Sequence, residues 1–174
     1  VNIAIAAGDV ILDVYEKEYE IAHKADGSPV TTADHRAHDV IVEQLQALTP
    51  DIPVLSEESK GIDVEDRLQW PQLWLVDPLD GTTNFIHRIP HFAIAMAFYH
   101  KGKVELSLVY DPVRDELFTA LRGKGARCNQ QRMRVSSLRK LDRALIATGF
   151  PSRNAERQAP YIATINDCFE RVGG

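Results

Sequence analysis

The hydrophobic period of this chain changes twice, and that constrains its fold more than any other feature. Over residues 1–19, Ile3, Ala7, Val10, Ile11 and Val14 recur at helical spacing. Over "TTADHRAHDVIVEQLQAL", Ala33, Ala37, Ile41, Leu45 and Leu48 do the same; Thr31 or Thr32 can cap that helix and Pro50 closes it. Between the two, residues 20–30, "EIAHKADGSPV", are polar, carry Gly27 and Pro29, and read as a loop. Beyond Pro50 the period shortens. "IPVLS" (52–56) and "LWLVD" (73–77) read as buried strands, and "FAIAMAFYH" (92–100) and "VELSLVY" (104–110) flank "KGK", a hairpin signal with Gly102 in the turn. "ELFTA" (116–120), "RMRV" (132–135) and "ALIAT" (144–148) read as further strands, and residues 154–172 return to helical spacing through Tyr161, Ile165, Phe169 and Val172. Two helices, a run of mostly antiparallel strands and a closing helix predict a layered α+β or α/β sandwich, not a βαβ repeat.

With 174 residues the chain is long enough for a core of its own. No repeat, linker or low-complexity segment divides it, so residues 1–174 are expected to form a single domain. A net charge of -5 argues against a nucleic-acid surface, whose footprint is a basic excess. It leaves room for a small anionic substrate, because bound cations reverse the local sign of a site. No apolar run is long enough to cross a membrane. Cys128 and Cys168 stand far apart without ligand spacing, which predicts reduced thiols and a cytoplasmic protein. The sequence opens at Val1 inside a helical pattern and stops at "CFERVGG", as expected of a truncated chain.

Three stretches carry chemistry. In "WLVDPLDGTTNF" a strand delivers Asp77, Pro78 restricts the backbone, and Asp80 follows into the same space. Two carboxylates that close repel unless a cation lies between them, and Mg2+ suits hard oxygen ligands in small number. The Leu79 carbonyl is a further ligand candidate. Gly81 permits close backbone approach, and the amides of Gly81, Thr82 and Thr83 open a helix that can cradle phosphate. The bland alternative is an acidic turn capping a helix. In "VLSEES" a second strand ends at Glu57 and Glu58; alone it would be a solvated turn, but beside the Asp pair it supplies the third acid of a two-metal site. In "DGSPVTTAD", Thr31 or Thr32 caps the helix and Asp34 is placed to orient a water or Thr82. His87, Arg88 and His91 are weighed as surface or structural groups near that site, and Trp70, Trp74 and Phe92 as core.

These motifs, in this order and spacing, together with "PHFAIAMAF", "VYDP", "ELFTA", "GKGA" and "ATGFP", resemble the inositol monophosphatase superfamily. The resemblance implies an αβαβα sandwich and Mg2+-dependent hydrolysis of a small phosphate monoester by metal-activated water, with two or three ions and lithium sensitivity. It implies Glu57, Asp77 and the Leu79 carbonyl on the first metal, Asp77 and Asp80 on the second, and Glu58 as a further metal-site candidate. Thr82 backed by Asp34 would help activate the water, with Glu57 also in the catalytic set, and Gly81, Thr82 and Thr83 would hold the substrate phosphate. It also implies a homodimer.

The family's downstream Trp-Asp motif is absent, so the chain by itself is expected to be inactive. The N-terminal stretches look more like the bacterial 3'(2'),5'-bisphosphate nucleotidase branch, whereas residues around Asp77–Phe85 look like the inositol monophosphatase branch; the nucleotidases show Lys-Glu where this chain has Thr83-Asn84. Either an intermediate member or two halves of different origin fits. The favoured substrate is inositol 1-phosphate-like, with 3'-phosphoadenosine 5'-phosphate as the alternative. A non-catalytic module that keeps the fold is the reading of another class.

Overall fold

The computed structural model describes residues 1–17, 21–24, 29–149 and 155–172. It divides into two compact units, Val1–Met133 and Arg134–Gly174. The first opens with α1 (Asn2–Tyr15), a two-stranded hairpin of β1 (Ile21–His23) and β2 (Pro29–Thr31), and α2 (Thr32–Leu48). Strand β3 (Val54–Ser56), the short helix α3 (Val64–Leu68) and β4 (Gln72–Asp80) follow, then the one-turn helix α4 (Thr82–Ile86). The rest is a meander of β5 (Ala93–His100), β6 (Lys103–Asp111), β7 (Glu116–Leu121), β8 (Gly125–Cys128) and β9 (Gln131–Arg132). These seven strands, β3 to β9, form one mixed sheet in sequence order, with β3 parallel to β4 and every other pairing antiparallel. The layered α/β class expected from the period changes is the one observed.

Helices α1 and α2 cover one sheet face. Ala4, Ala7, Ile11 and Val14 of α1, with Ala33, Ala37, Ile41 and Leu45 of α2, bury against Val76, Ile94, Met96, Leu108 and Tyr110. The small residues are what allow the layers to approach. A methyl group at Gly8 would stand 2.7 Å from the Tyr110 ring, so this mid-helix glycine trades helix propensity for contact with β6. The opposite sheet face is apolar but half-exposed, with Leu75 at 38% and Val109 at 40%.

Several expectations give way. Within residues 20–30, expected as a loop, Ile21–His23 and Pro29–Thr31 pair as antiparallel strands; Glu20 and residues 25–28 lie outside the described set. Three-residue strands are too short to show a period. The first helix ends at Tyr15, with residues 18–19 outside the description, and its stripe runs through Ala4 and Gly8 while Val10 is only half-buried. Leu48, the last residue of α2, is exposed. "RMRV" contributes only Arg132 to a strand, and Gly125–Cys128 was missed as its partner. "ALIAT" is not a strand: it follows a 3-10 turn, Leu141–Arg143, and Leu145 and Ile146 are exposed. Apolar, β-prone residues make no strand without a neighbour to bond. In the second unit, α5 (Gln158–Arg171) keeps the predicted helical stretch after a 3-10 turn at Ala155–Arg157, with residue 154 outside the description. Its Phe169 is exposed.

Candidate metal and phosphate site

The acids meet because β3 and β4 run parallel. Ser56 pairs with Val76, and the Glu57 amide donates to the Val76 carbonyl at 2.9 Å, so Glu57 lands beside Asp77. Parallel neighbours end at the same edge, which is where open α/β sheets collect ligands.

A bulge then aligns the second acid. On β5, Ala95 and Ala93 are two residues apart, but their partners on β4, Asp77 and Asp80, are three apart. Residues three apart on a regular strand face opposite sides; one inserted residue returns them to the same phase. Pro78 sits inside the irregularity, where its missing N–H cannot cost a ladder bond, and the Leu79 amide donates to Asp77 Oδ1 at 3.1 Å. Pro78 and Leu79 are both buried. Pro78 thus accommodates the alignment, and the bulge makes it.

The consequence is electrostatic. Burial first, then the charges of Glu57 and Asp80, push the Asp77 carboxyl up to about 7. The Lys24 ammonium stands 2.6 Å from Glu57 Oε1 and 2.7 Å from Glu58 Oε1. Burial works against that ammonium, but its bonds to Glu57 and Glu58 outweigh it and raise its pKa. The donor set is therefore hard, anionic and already satisfied in part by a cation, which fits a divalent ion on Glu57, Asp77, Asp80 and the Leu79 carbonyl. Among the described residues no three such side chains are closed into a finished ligand set. The acids are gathered at the edge, and Glu57 is engaged by Lys24.

Beside them lies a hydroxyl–carboxylate pair. Thr82 Oγ1 is 3.0 Å from Asp34 Oδ1 and 3.1 Å from the Leu79 carbonyl, and its one proton can go to either. Asp34 Oδ2 accepts from the Thr31 amide and hydroxyl at 2.7 and 2.6 Å, while the Thr31 hydroxyl accepts from the Ala33 amide. Asp34 therefore closes the capping box of α2 and reaches Thr82 with its free oxygen. The Thr31 cap read from the sequence is present, and Asp34 lies within hydrogen-bond reach of Thr82. Burial raises its pKa against those hydrogen bonds.

Gly81 is required by its backbone geometry. Its φ is +97° at the N-cap of α4, and a Cβ there would meet the His91 carbonyl at 3.0 Å and Phe92 Cα at 3.3 Å. Thr83 is exposed on the first turn, whose leading amides have no partner within the helix. A recess of ≈ 250 Å³ beside them is lined by Asp80, Gly81, Asn84, His91 and Asp111. A larger cleft of ≈ 580 Å³, bordered by Leu55, Glu57, Asp77 and Val109, opens on the half-exposed sheet face.

Three groups escaped the sequence reading. Lys24 lay in an assumed loop. His38 lies one helical turn after Asp34 on the same face and shares a 2.8 Å hydrogen bond with buried Ser56. Ser56 and Ser59 tie the turn that carries Glu57 and Glu58, and the serines flanking the Glu pair were the available signal. Arg88 donates to the Lys17 carbonyl and lies over Tyr15, a structural role. His91 accepts from Asn84 through its carbonyl.

Comparison with known proteins follows the same lines. The model of the inositol monophosphatase family matches residues 1–170. Nus factor SuhB of Escherichia coli K12 is 40% identical over 181 aligned positions, covering 99% of this chain and 67% of that protein. The crystal structure of extragenic suppressor protein suhB from Bartonella henselae superposes with a TM-score of 0.88 at 36% identity, covering 99% of this chain and 66% of that one. An IMPase/NADP phosphatase complexed with Mg2+ and phosphate superposes with a TM-score of 0.77 at 27% identity, over 96% of this chain and 60% of that one. The chain spans about two thirds of the length of such relatives. Among the described residues no helix is long and apolar enough to cross a membrane.

Proposed function

Because the chain belongs to the inositol monophosphatase family, we propose that it carries the acid-bearing part of a Mg2+-dependent phosphomonoesterase for a small phosphate ester, inositol 1-phosphate-like in character. The observation that carries this reading is the meeting of Glu57, Asp77 and Asp80 at one strand edge beside the Thr82–Asp34 pair. When bound there, Mg2+ would supply charge neutralisation at the phosphoryl oxygens and a lowered pKa for a water. Glu57, Asp77, Asp80 and the Leu79 carbonyl would hold it. The Thr82 hydroxyl spends its proton inward, on Asp34 or on Leu79, and so presents lone pairs outward to orient the O–H of an incoming water. Asp34, held by Thr31 from behind, fixes that hydroxyl and can take up a proton relayed through it. The leading amides of α4 and the Thr83 side chain offer neutral donors to the phosphate.

The inositol-type ester is preferred over 3'-phosphoadenosine 5'-phosphate because Thr83 and Asn84 leave that recess without the Lys-Glu pair of the nucleotidase branch. The relative with bound Mg2+ and phosphate supports the phosphatase reading. The relative named a Nus factor supports a second one, an interaction role of the same fold without catalysis. Phosphate release from both esters by a complete protein carrying this chain, with Mg2+ and in excess chelator, separates the three: Mg2+-dependent turnover with higher kcat/KM on inositol 1-phosphate is expected, a tenfold preference for the nucleotide reverses the ranking, and no release from either favours the module.

A further inference from the structure

The end of β3 already holds a cation of the protein's own. The Lys24 side chain is 22% exposed and bridges Glu57, 51% exposed, and Glu58, which at 6% is nearly sealed from water. A carboxylate that deep keeps its charge only with a cation or several donors beside it. Glu57, in contrast, reaches solvent and borders Asp77, so its oxygens are the ones an incoming ion can claim.

We propose that Lys24 is an internal counter-cation that occupies Glu57 in the metal-free protein and competes there with a divalent cation. The inference rests on the metal reading of Glu57 and Asp77. An ammonium 2.6 Å from Glu57 Oε1 and a divalent ion on the same carboxylate would be close neighbours of like charge, so each weakens the hold of the other on Glu57. Lys24 need not be expelled, because Glu58 remains as its partner at 2.7 Å. Metal entry therefore weakens one of its two bonds, and the buried Glu58 is never left without a cation. The arrangement lowers metal affinity while protecting the empty site from the repulsion of its own acids. Lys24 directly follows β1, which pairs through β2 to Thr31 and so to Asp34, placing the displaced residue on the hairpin that leads to the Thr82 pair.

The test uses Mn2+ binding, followed by electron paramagnetic resonance, on the protein and on Lys24→Gln and Lys24→Arg, with melting of each metal-free form. Lys24→Gln is expected to bind Mn2+ about tenfold more tightly, while its metal-free form melts at a lower temperature because Glu58 has lost its cation. Lys24→Arg is expected to stay near the parent on both. Higher affinity with lower metal-free stability is a pair of opposite signs that a merely structural lysine does not produce. Unchanged or weakened Mn2+ binding in Lys24→Gln, with the parent binding and Asp77→Asn not, overturns the inference and leaves the metal reading intact. A parent that binds no Mn2+ overturns that reading and the inference with it.

Discussion

At one side of the sheet β3 and β4 run parallel and end together; across the rest, β5 to β9 return on themselves as an antiparallel meander. Both regions carry acids. Those of the meander are spent on structure: Asp111 accepts from the Val113 and Arg114 amides and pairs with the Arg114 side chain at 2.6 Å, and Asp115 accepts from the Tyr110 hydroxyl at 3.0 Å. At the parallel edge, Asp77 is left against Glu57 and Asp80 and takes a raised pKa instead of a compensating partner. Turn geometry explains the difference. A hairpin satisfies its own acids within a few residues, whereas a parallel pair joined by a long crossover juxtaposes acids that have no local partner. A region whose charges are compensated locally is scaffold; a region whose charges are not is where a ligand belongs.

Substitutions should therefore separate the two regions by what they move. In a complete protein carrying this chain, the largest effect is expected from Asp77→Asn: phosphate release should fall at least ~1000-fold, about 4 kcal/mol of transition-state stabilisation, with the cooperative melt retained. Ordinary turnover in that variant would end the distinction. Next, Ile94→Ala in the meander, fully buried in the core, should lower unfolding stability by about 3 kcal/mol in denaturant titration and leave kcat within about twofold per folded molecule. A comparable loss of kcat would mean that the scaffold tunes the site directly.

A smaller effect is expected at Thr82. Thr82→Val should lower kcat roughly 100-fold, the low end for a proton-handling group, and Thr82→Ser should recover most of it, because the Asp34 contact needs only the hydroxyl. Equal rates for the two variants would remove Thr82 from the reaction.

The smallest is a stability effect with a definite sign. Asp77 is held up at about 7, above its unfolded value of 3.8. Its neutral form stabilises the fold fully below pH ~4, and that contribution is lost as pH rises through about 7. The metal-free protein should thus melt lower at pH 8 than at pH 5, and Asp77→Asn should flatten the profile. At pH 8 the variant should be the more stable by about 1 kcal/mol, the shift being discounted for a side chain partly open to solvent. A variant that melts below its parent at pH 8 would mean that the crowded carboxylate is not strained.

Much of this molecule is decided within short windows of sequence. The stripe Ala33, Ala37, Ile41, Leu45 makes α2, and Thr31 with Asp34 caps it, because i, i+4 spacing and a box three residues wide are local. "KGK" makes the β5–β6 turn because Lys101 and Gly102 both take positive φ, which suits a tight hairpin. The acids, too, were legible as residue types: Asp77 and Asp80 stand out by their spacing, and Glu57 gains its meaning beside them. What no window contains is which strand neighbours which. The parallel register of Ser56 with Val76 crosses a long connection, and the bulge that brings Asp77 and Asp80 into phase exists only against Ala95 and Ala93 of another strand. "ALIAT" has strand residues and no strand partner among the described residues, and Lys24 has an ordinary loop setting and two glutamates 33 and 34 residues away. Periodicity, capping and turns are short-range and survive in the sequence; pairing, phase and charge compensation are energies between distant residues, and only the folded chain brings those residues together.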